Sequence, residues 1–178
     1  MFRIQDSRFK IRIFTIGYCL LAIACLSSCK MSYKFNGATI PAEAKTVNIK
    51  YFSNQASLAN PALSQAITEA LKDIFNSQSN LTLTDRTADL NFEGTITGYA
   101  TAPVAIQSND LAALNRLTIT VNVKYTNRFD EKKNFESSFS RYADYSSSKT
   151  LSEVESELIT EINKQLVQDI YNKALNNW

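Results

Sequence analysis

The chain reads as an α+β protein: a two-layer sandwich in which two helices cover one face of a mostly antiparallel four-stranded sheet. Three observations predict this. Residues 117–125 alternate without a break, Leu117, Ile119, Val121, Val123 and Tyr125 on one side and Thr118, Thr120, Asn122 and Lys124 on the other, the period of a strand with one buried face. Two segments instead repeat their apolar residues at three and four, the period of amphipathic helices. Their order, β-α-β-β-β-α, has no internal repeat and no linker, and one-faced strands beside amphipathic helices pack as a sheet with its helices on one side.

Each element has a local reason. In "TVNIKYF" (46–52), Val47, Ile49 and Tyr51 fall on one strand face. In the first helix Asn60 is placed to cap and Pro61 to open, because the first helical position needs no N–H. Leu63, Ile67, Ala70, Leu71, Ile74 and Phe75 form its stripe. "LTLTDRTADLNFEGTITGYATAPVAI" reads as an extra short strand, a turn at Asp85-Arg86, and a longer strand with Leu90, Phe92 and Ile96 inward. After the alternating strand, "DEKKN" is a charged hairpin turn, and the chain returns through Phe135, Phe139 and Ala143. A long helix from about Ser152 carries Val154, Leu158, Ile162, Leu166, Ile170 and Ala174 as one stripe.

The N-terminal part has a different character. Arg3, Arg8, Lys10 and Arg12 face a single acid, Asp6, before an apolar run from Ile13 to Leu26. A basic start and an apolar run of this length make an export signal, too short for a membrane span of ~20 residues. The run ends Leu26-Ser27-Ser28-Cys29, the pattern of a lipoprotein-processing site, so residues 1–28 read as a lipoprotein signal peptide. Residues 29–45 then form a lipidated tether, and 46–178 a single domain. Diacylglyceryl and N-acyl groups on Cys29 are the only attached groups expected; no cofactor and no metal is. Of the three cysteines, Cys19 and Cys25 leave with the signal, so no intramolecular disulfide remains. Several acyl chains anchor stably where one does not, and Lys30, rather than an aspartate, follows Cys29. The expected location is the outer membrane, held by the lipid.

Charge and composition exclude several functions. The whole chain has 19 Lys and Arg against 17 Asp and Glu, and removing the signal leaves the remainder at a net of −1. Without a basic field, nucleic acid is not an expected partner. The absence of histidine removes Ser-His-Asp, Cys-His and histidine-metal chemistry. With only four glycines, there is neither a dinucleotide-binding nor a phosphate-cradling glycine loop. Glu153, Glu155, Glu157 and Glu161 crowd the start of the last helix, where acids complement the helix dipole. The chain is therefore not expected to be an enzyme, and a hydrolase built on carboxylates is the remote alternative.

Two places are candidates for contact. Arg116, Lys124, Arg128, Lys132 and Lys133 lie along the hairpin arm, with Arg141 on the returning strand. Arg116, Arg128, Lys132 and Lys133 are the candidate anion contacts, because Arg and Lys pair with phosphate through charge-assisted hydrogen bonds. The alternative is a solvated turn, partly neutralised by Asp130 and Glu131. In "TAPVAIQSNDLAALNRL" (101–117), Pro103, Val104 and Ile106 read as an apolar loop, either core filler or a patch offered to a partner.

Several segments taken together carry a resemblance: the processing site at Cys29, "SYKFNGATIPAEAKTVNIKYFSNQASLANPALSQAITEALKDIF", "LNFEGTITGY", "LAALNRLTITVNVKYTN" and "SFSRYADY". In this order they resemble the LptE family, lipopolysaccharide-assembly lipoproteins of Gram-negative outer membranes. The resemblance covers essentially the whole chain beyond the signal. It implies two helices against a four-stranded sheet, and a protein that plugs the LptD barrel, helps it assemble and binds lipopolysaccharide. Only Cys29 carries a family role by position. A lipoprotein scaffold for a different outer-membrane machine is the alternative.

Overall fold

A computed structural model describes residues 43–57, 59–104 and 114–175. The strands are β1 (Thr46–Ile49), β2 (Ser53–Asn54), β3 (Thr82–Leu83), β4 (Leu90–Val104), β5 (Leu114–Asn127) and β6 (Phe135–Ser146); the helices are α1 (Ala62–Gln78) and α2 (Leu151–Leu175). A single 3-10 turn, Glu131–Lys133, links β5 to β6.

The α+β class and both helices agree with expectation; the sheet is larger and mixed. It has six strands in the order β3-β1-β4-β5-β6, with β2 also paired to β4. The β4-β5-β6 half is antiparallel, whereas β1 runs parallel to both β3 and β4, Val47 meeting Leu83 on one side and Leu90 on the other. This replaces the expected four-stranded, mostly antiparallel arrangement. Two-residue strands are too short to show a period, and parallel pairing leaves no mark on the pattern of either strand alone.

A second correction concerns β1. Val47 and Ile49 are buried as expected, but Tyr51 is 64% exposed and Phe52 is fully buried. The strand stops at Ile49, and the chain turns so that the Phe52 N–H donates to Thr68 Oγ1 of α1 at 3.1 Å. The Phe52 ring occupies the space over Gly94 that a side chain there would fill. Further along β4 the register slips between Ile96 and Gly98, and this bulge turns Tyr99 inward beside Ile96.

The helix stripes pack as their spacing requires. Leu63, Ile67, Leu71 and Phe75 of α1, and Val154, Leu158, Ile162, Leu166, Ile170 and Ala174 of α2, are buried against Phe92, Ile96, Leu117, Ile119, Val121, Val123 and Tyr125 of the sheet. Asn60 acts as the cap of α1: its Oδ1 accepts the Ala62 N–H and its carbonyl the Leu63 N–H, each at 2.9 Å. Pro61 is already helical at φ −55°, as suits a first position without N–H. Aromatic rings form a column through the core, with centroids 5.0 Å apart from Phe75 to Phe92, 4.8 Å from Phe92 to Tyr125 and 5.3 Å from Tyr125 to Phe135.

Candidate functional site

The expected contact residues divide between the two ends of β5. Arg116 lies near the start of β5 and Arg128 one residue past its end, twelve residues on and roughly 40 Å away at strand rise, so Arg116 is far from the cations at the turn.

At the β5–β6 end the turn is built by short polar side chains. Asn127 Oδ1 accepts the N–H groups of Phe129 at 2.9 Å and Asp130 at 3.2 Å, while Asn134 Oδ1 accepts the Asn127 N–H at 2.7 Å. Asp130 Oδ1 accepts the Lys132 N–H, and the Asp130 carbonyl accepts that of Lys133. With the backbone held from within, Arg128 and Lys132 stand exposed and Lys133 half-buried. Among the described residues none of the three forms an ion pair. Arg128 is close enough to Asp89 to lower its carboxyl, although hydrogen bonds from Lys45 and Thr46 do most of that. Phe129, 47% exposed between these cations, is the residue sequence reasoning missed. Its signal was present: it continues the inward phase of Tyr125 past the end of the strand, where no core remains to receive it.

Beneath the turn, Tyr125 and Asn127 are buried beside each other, and among the described residues neither the Tyr125 hydroxyl nor the Asn127 Nδ2 makes a hydrogen bond of good geometry. Burial pushes the Tyr125 phenol up to about 12. At the other end, Pro103 and Val104 are not in a loop: they extend β4 and pair with Asn115 and Leu114. Pro103 is exposed rather than core filler. Arg116 is already engaged: its guanidinium stacks 3.6 Å from the Tyr142 ring centroid and binds both oxygens of Asp144 at 2.7 and 2.8 Å. Asp144 holds its pKa up and is held down in return. Cys29 and Ile106 lie outside the described residues.

The remaining charged candidates serve the fold. Arg141 is clamped by Asp169 of α2, Nε to Oδ2 at 2.5 Å. Glu153 accepts from the Thr150 N–H and hydroxyl, closing the start of α2, and these bonds keep its carboxyl low. Glu155 accepts the Tyr99 hydroxyl at 2.6 Å and the Asn60 amide at 3.1 Å, joining β4, α1 and α2. Among the described residues no three acids or cysteines gather as metal ligands, and no helix is long and apolar enough to cross a membrane.

Residues 44–174 match the family model described as LptE, lipopolysaccharide-assembly. No curated protein sequence matches the chain. Similar solved structures include a minor lipoprotein from Acinetobacter baumannii, at 16% identity and TM-score 0.48, covering 73% of this chain and 91% of that one. A Xanthomonas campestris protein, at 14% identity and TM-score 0.49, covers 76% and 89%. A hypothetical protein from Chlamydia trachomatis, at 10% identity and TM-score 0.48, covers 74% and 98%.

Proposed function

The chain belongs to the LptE lipopolysaccharide-assembly family, and from that premise we propose that it is an outer-membrane lipoprotein, anchored through acylated Cys29, that plugs and helps assemble an LptD-type barrel and binds lipopolysaccharide. The observation that carries the binding half is the β5–β6 turn. Arg128, Lys132 and Lys133 surround an exposed Phe129 on a backbone fixed by Asn127, Asp130 and Asn134. Cations beside an exposed ring suit an amphiphile with phosphates next to acyl chains, since the guanidinium and ammonium groups pair with phosphate while the ring accepts apolar contact.

The barrel half rests on family membership and on the polar outer sheet face. Thr95, Thr118, Thr120, Asn122, Ser138 and Ser140 give that face many small hydrogen-bonding groups and little net charge, the character of a wet interface in which shape sets specificity. Pro103, Val104, Ile106 and Arg116 would then meet the barrel rather than its cargo. The alternative, a scaffold for another outer-membrane machine, shares the anchor and the fold.

Two experiments test this reading. Replacing Arg128, Lys132 and Lys133 together by glutamate should weaken lipopolysaccharide binding while the circular dichroism spectrum stays that of the parent; unchanged binding removes the turn as its site. Detergent extraction of the tagged, lipidated protein should bring down a stoichiometric barrel of the LptD type. Recovery of a different barrel would favour the scaffold reading.

A further inference from the structure

Strand β6 is an open edge. Among the described residues it pairs with β5 alone, in unbroken register from Phe135 to Ser146, with neither proline nor bulge to blunt it, whereas β3 at the opposite edge is two residues long. The direction of its free backbone groups follows from its neighbours. Arg128 donates its N–H to the Asp89 carbonyl beside β4, and Asn127 donates toward Asn134 on the β6 side. Even-numbered residues of β5 therefore address β4 and odd-numbered ones β6. β4 agrees: Phe92 and Ile96, opposite Tyr125 and Val121, turn their carbonyls away from β5, to the N–H groups of Lys50 and Gln55. Carried across the pairing of Tyr125 with Phe135, the even residues of β6 from Glu136 to Ser146 point away from the sheet. The Ser146 carbonyl is taken by the Lys149 N–H. Glu136, Ser138, Ser140, Tyr142 and Asp144 are left with backbone groups that have no partner among the described residues.

A groove of about 370 Å³ lies against this edge, lined by residues 140–144 of β6 and by Glu161 and Gln165 of α2. Consecutive strand residues alternate between faces, so a groove that touches them in unbroken succession follows the strand's edge. Its depth comes from Ala143, the small residue of the helix-facing row between Arg141 and Tyr145. Toward the turn the same row is covered: Lys173 donates to Ser137 and lies over Phe135 and Phe139. The charges in the groove do not balance. Asp169 holds Arg141 and Arg116 holds Asp144, but Glu161 is exposed and forms no ion pair among the described residues.

Resting on the barrel reading above, we propose that the β6 edge takes up an extended segment of the partner barrel, added to the sheet as a further strand, with a lysine or arginine side chain lying over Ala143 to reach Glu161. The free backbone groups ask for an extended chain, and the unpaired carboxylate asks for a cation: main-chain bonds hold such a segment and the side-chain groove selects it. A closed barrel's own strands have no free edge to offer, so the segment belongs to a loop turned into the lumen. The groove is also continuous with a residue assigned to the barrel. Arg116 stacks on Tyr142 and binds Asp144, and both of these line the groove.

The test compares amide hydrogen exchange of the full, lipidated chain in detergent, alone and with the barrel it brings down. The N–H groups of Ser138, Ser140 and Tyr142 should slow at least about tenfold in the complex, while those of Phe139 and Arg141, already bonded to β5, change little. Ser140→Pro removes only an outward N–H and should abolish the slowing at Ser138 and Tyr142 with the barrel still bound; Ser140→Ala, which keeps that N–H, should not. Glu161→Lys should reduce the slowing as well. Photoreactive benzoylphenylalanine in place of Tyr142 should crosslink to a barrel loop containing lysine or arginine. An unchanged circular dichroism spectrum of each variant is the folding control. A barrel recovered without slowing, or with slowing alike at odd and even residues, overturns the strand addition and leaves the barrel reading standing. A parent chain that brings down no barrel overturns both. Slowing that survives Glu161→Lys removes the cation, and crosslinks only to a barrel strand, a second copy or another polypeptide remove the loop.

Discussion

Gly94 is occupied by glycine for space rather than for backbone freedom. Its φ is not in the left-handed region, but a Cβ placed there would overlap the ring of Phe52. That ring is fully buried, and its backbone is tied to Thr68 of α1, so it has no open direction in which to move. Gly94→Ala should gain about 0.5–1 kcal/mol by removing glycine's conformational freedom from a strand interior. Against this stands overpacking at about 1–3 kcal/mol, or more where the ring is expelled, since emptying a phenylalanine site costs about 3–5 kcal/mol. The net expectation is a loss of about 2 kcal/mol, a fall in Tm on the order of 10 °C. Urea and thermal denaturation followed by circular dichroism read it directly. The cause is isolated by repeating the substitution in a Phe52→Ala background, where the same methyl enters empty space and should cost nothing or stabilise. If Gly94→Ala costs the same in both backgrounds, the contact with Phe52 is not the reason for the glycine.

Other consequences follow from individual contacts. Phe75→Ala removes a fully buried ring in contact with Phe92 and Tyr171 and should cost about 3–5 kcal/mol by denaturant titration. Asp89 accepts from the Lys45 and Thr46 N–H groups and the Thr46 hydroxyl, which hold its carboxyl below the usual carboxylate range. A carboxyl lowered by folding stabilises above its unfolded value, and that contribution is lost as pH falls through the folded one. The stability gap between the parent and Asp89→Asn should therefore narrow as pH drops below about 4, and a pH-independent gap would show that the carboxylate's charge is not what matters. Tyr99→Phe should cost about 1 kcal/mol through loss of its bond to Glu155. In ultraviolet pH titration, Tyr125 should ionise near 12, and a native-state value of 10 would contradict its burial.

Legibility in the sequence depended on how many residues reported each feature. β5 repeats one rule over nine residues, and α2 repeats another over six stripe positions, so both were readable to within a residue or two. β1 has only four residues, and the Val47–Ile49 alternation pointed to Tyr51 as the next inward position. What placed Phe52 inside instead is the gap at Gly94, forty-two positions away, and no local window contains both. The parallel pairing of β1 to β4 escaped for the same reason: it is a relation between segments. Arg116 and Arg128 read as cations of one hairpin arm, and the structure separates them, Arg116 near the start of β5 and Arg128 just past its end. Phe129 stood in the sequence as an aromatic in a charged turn, but only the end of β5 at Asn127 shows that the core does not reach it.

The outer sheet face gives the physical reason to look for recognition at the margins of this domain. Many of its polar groups are engaged with neighbours in the same sheet: Lys50 with Glu93, Ser53 with Thr95, Thr120 with Ser140, Asn122 with Glu136, and Arg116 with Asp144. Each such exposed pair contributes at most about 1 kcal/mol to stability. Their larger effect is on binding, because a partner that takes one of these groups must first break its existing bond and replace it, leaving little net gain. The turn at Arg128, Phe129, Lys132 and Lys133 and the edge of β6 differ in kind. There the cations have no ion-pair partner among the described residues, the ring has no cover, and the backbone groups have no opposite strand. A ligand or partner gains the whole of each new contact at those places, so the polar middle suits a wet interface matched by shape and the margins suit the strong individual contacts.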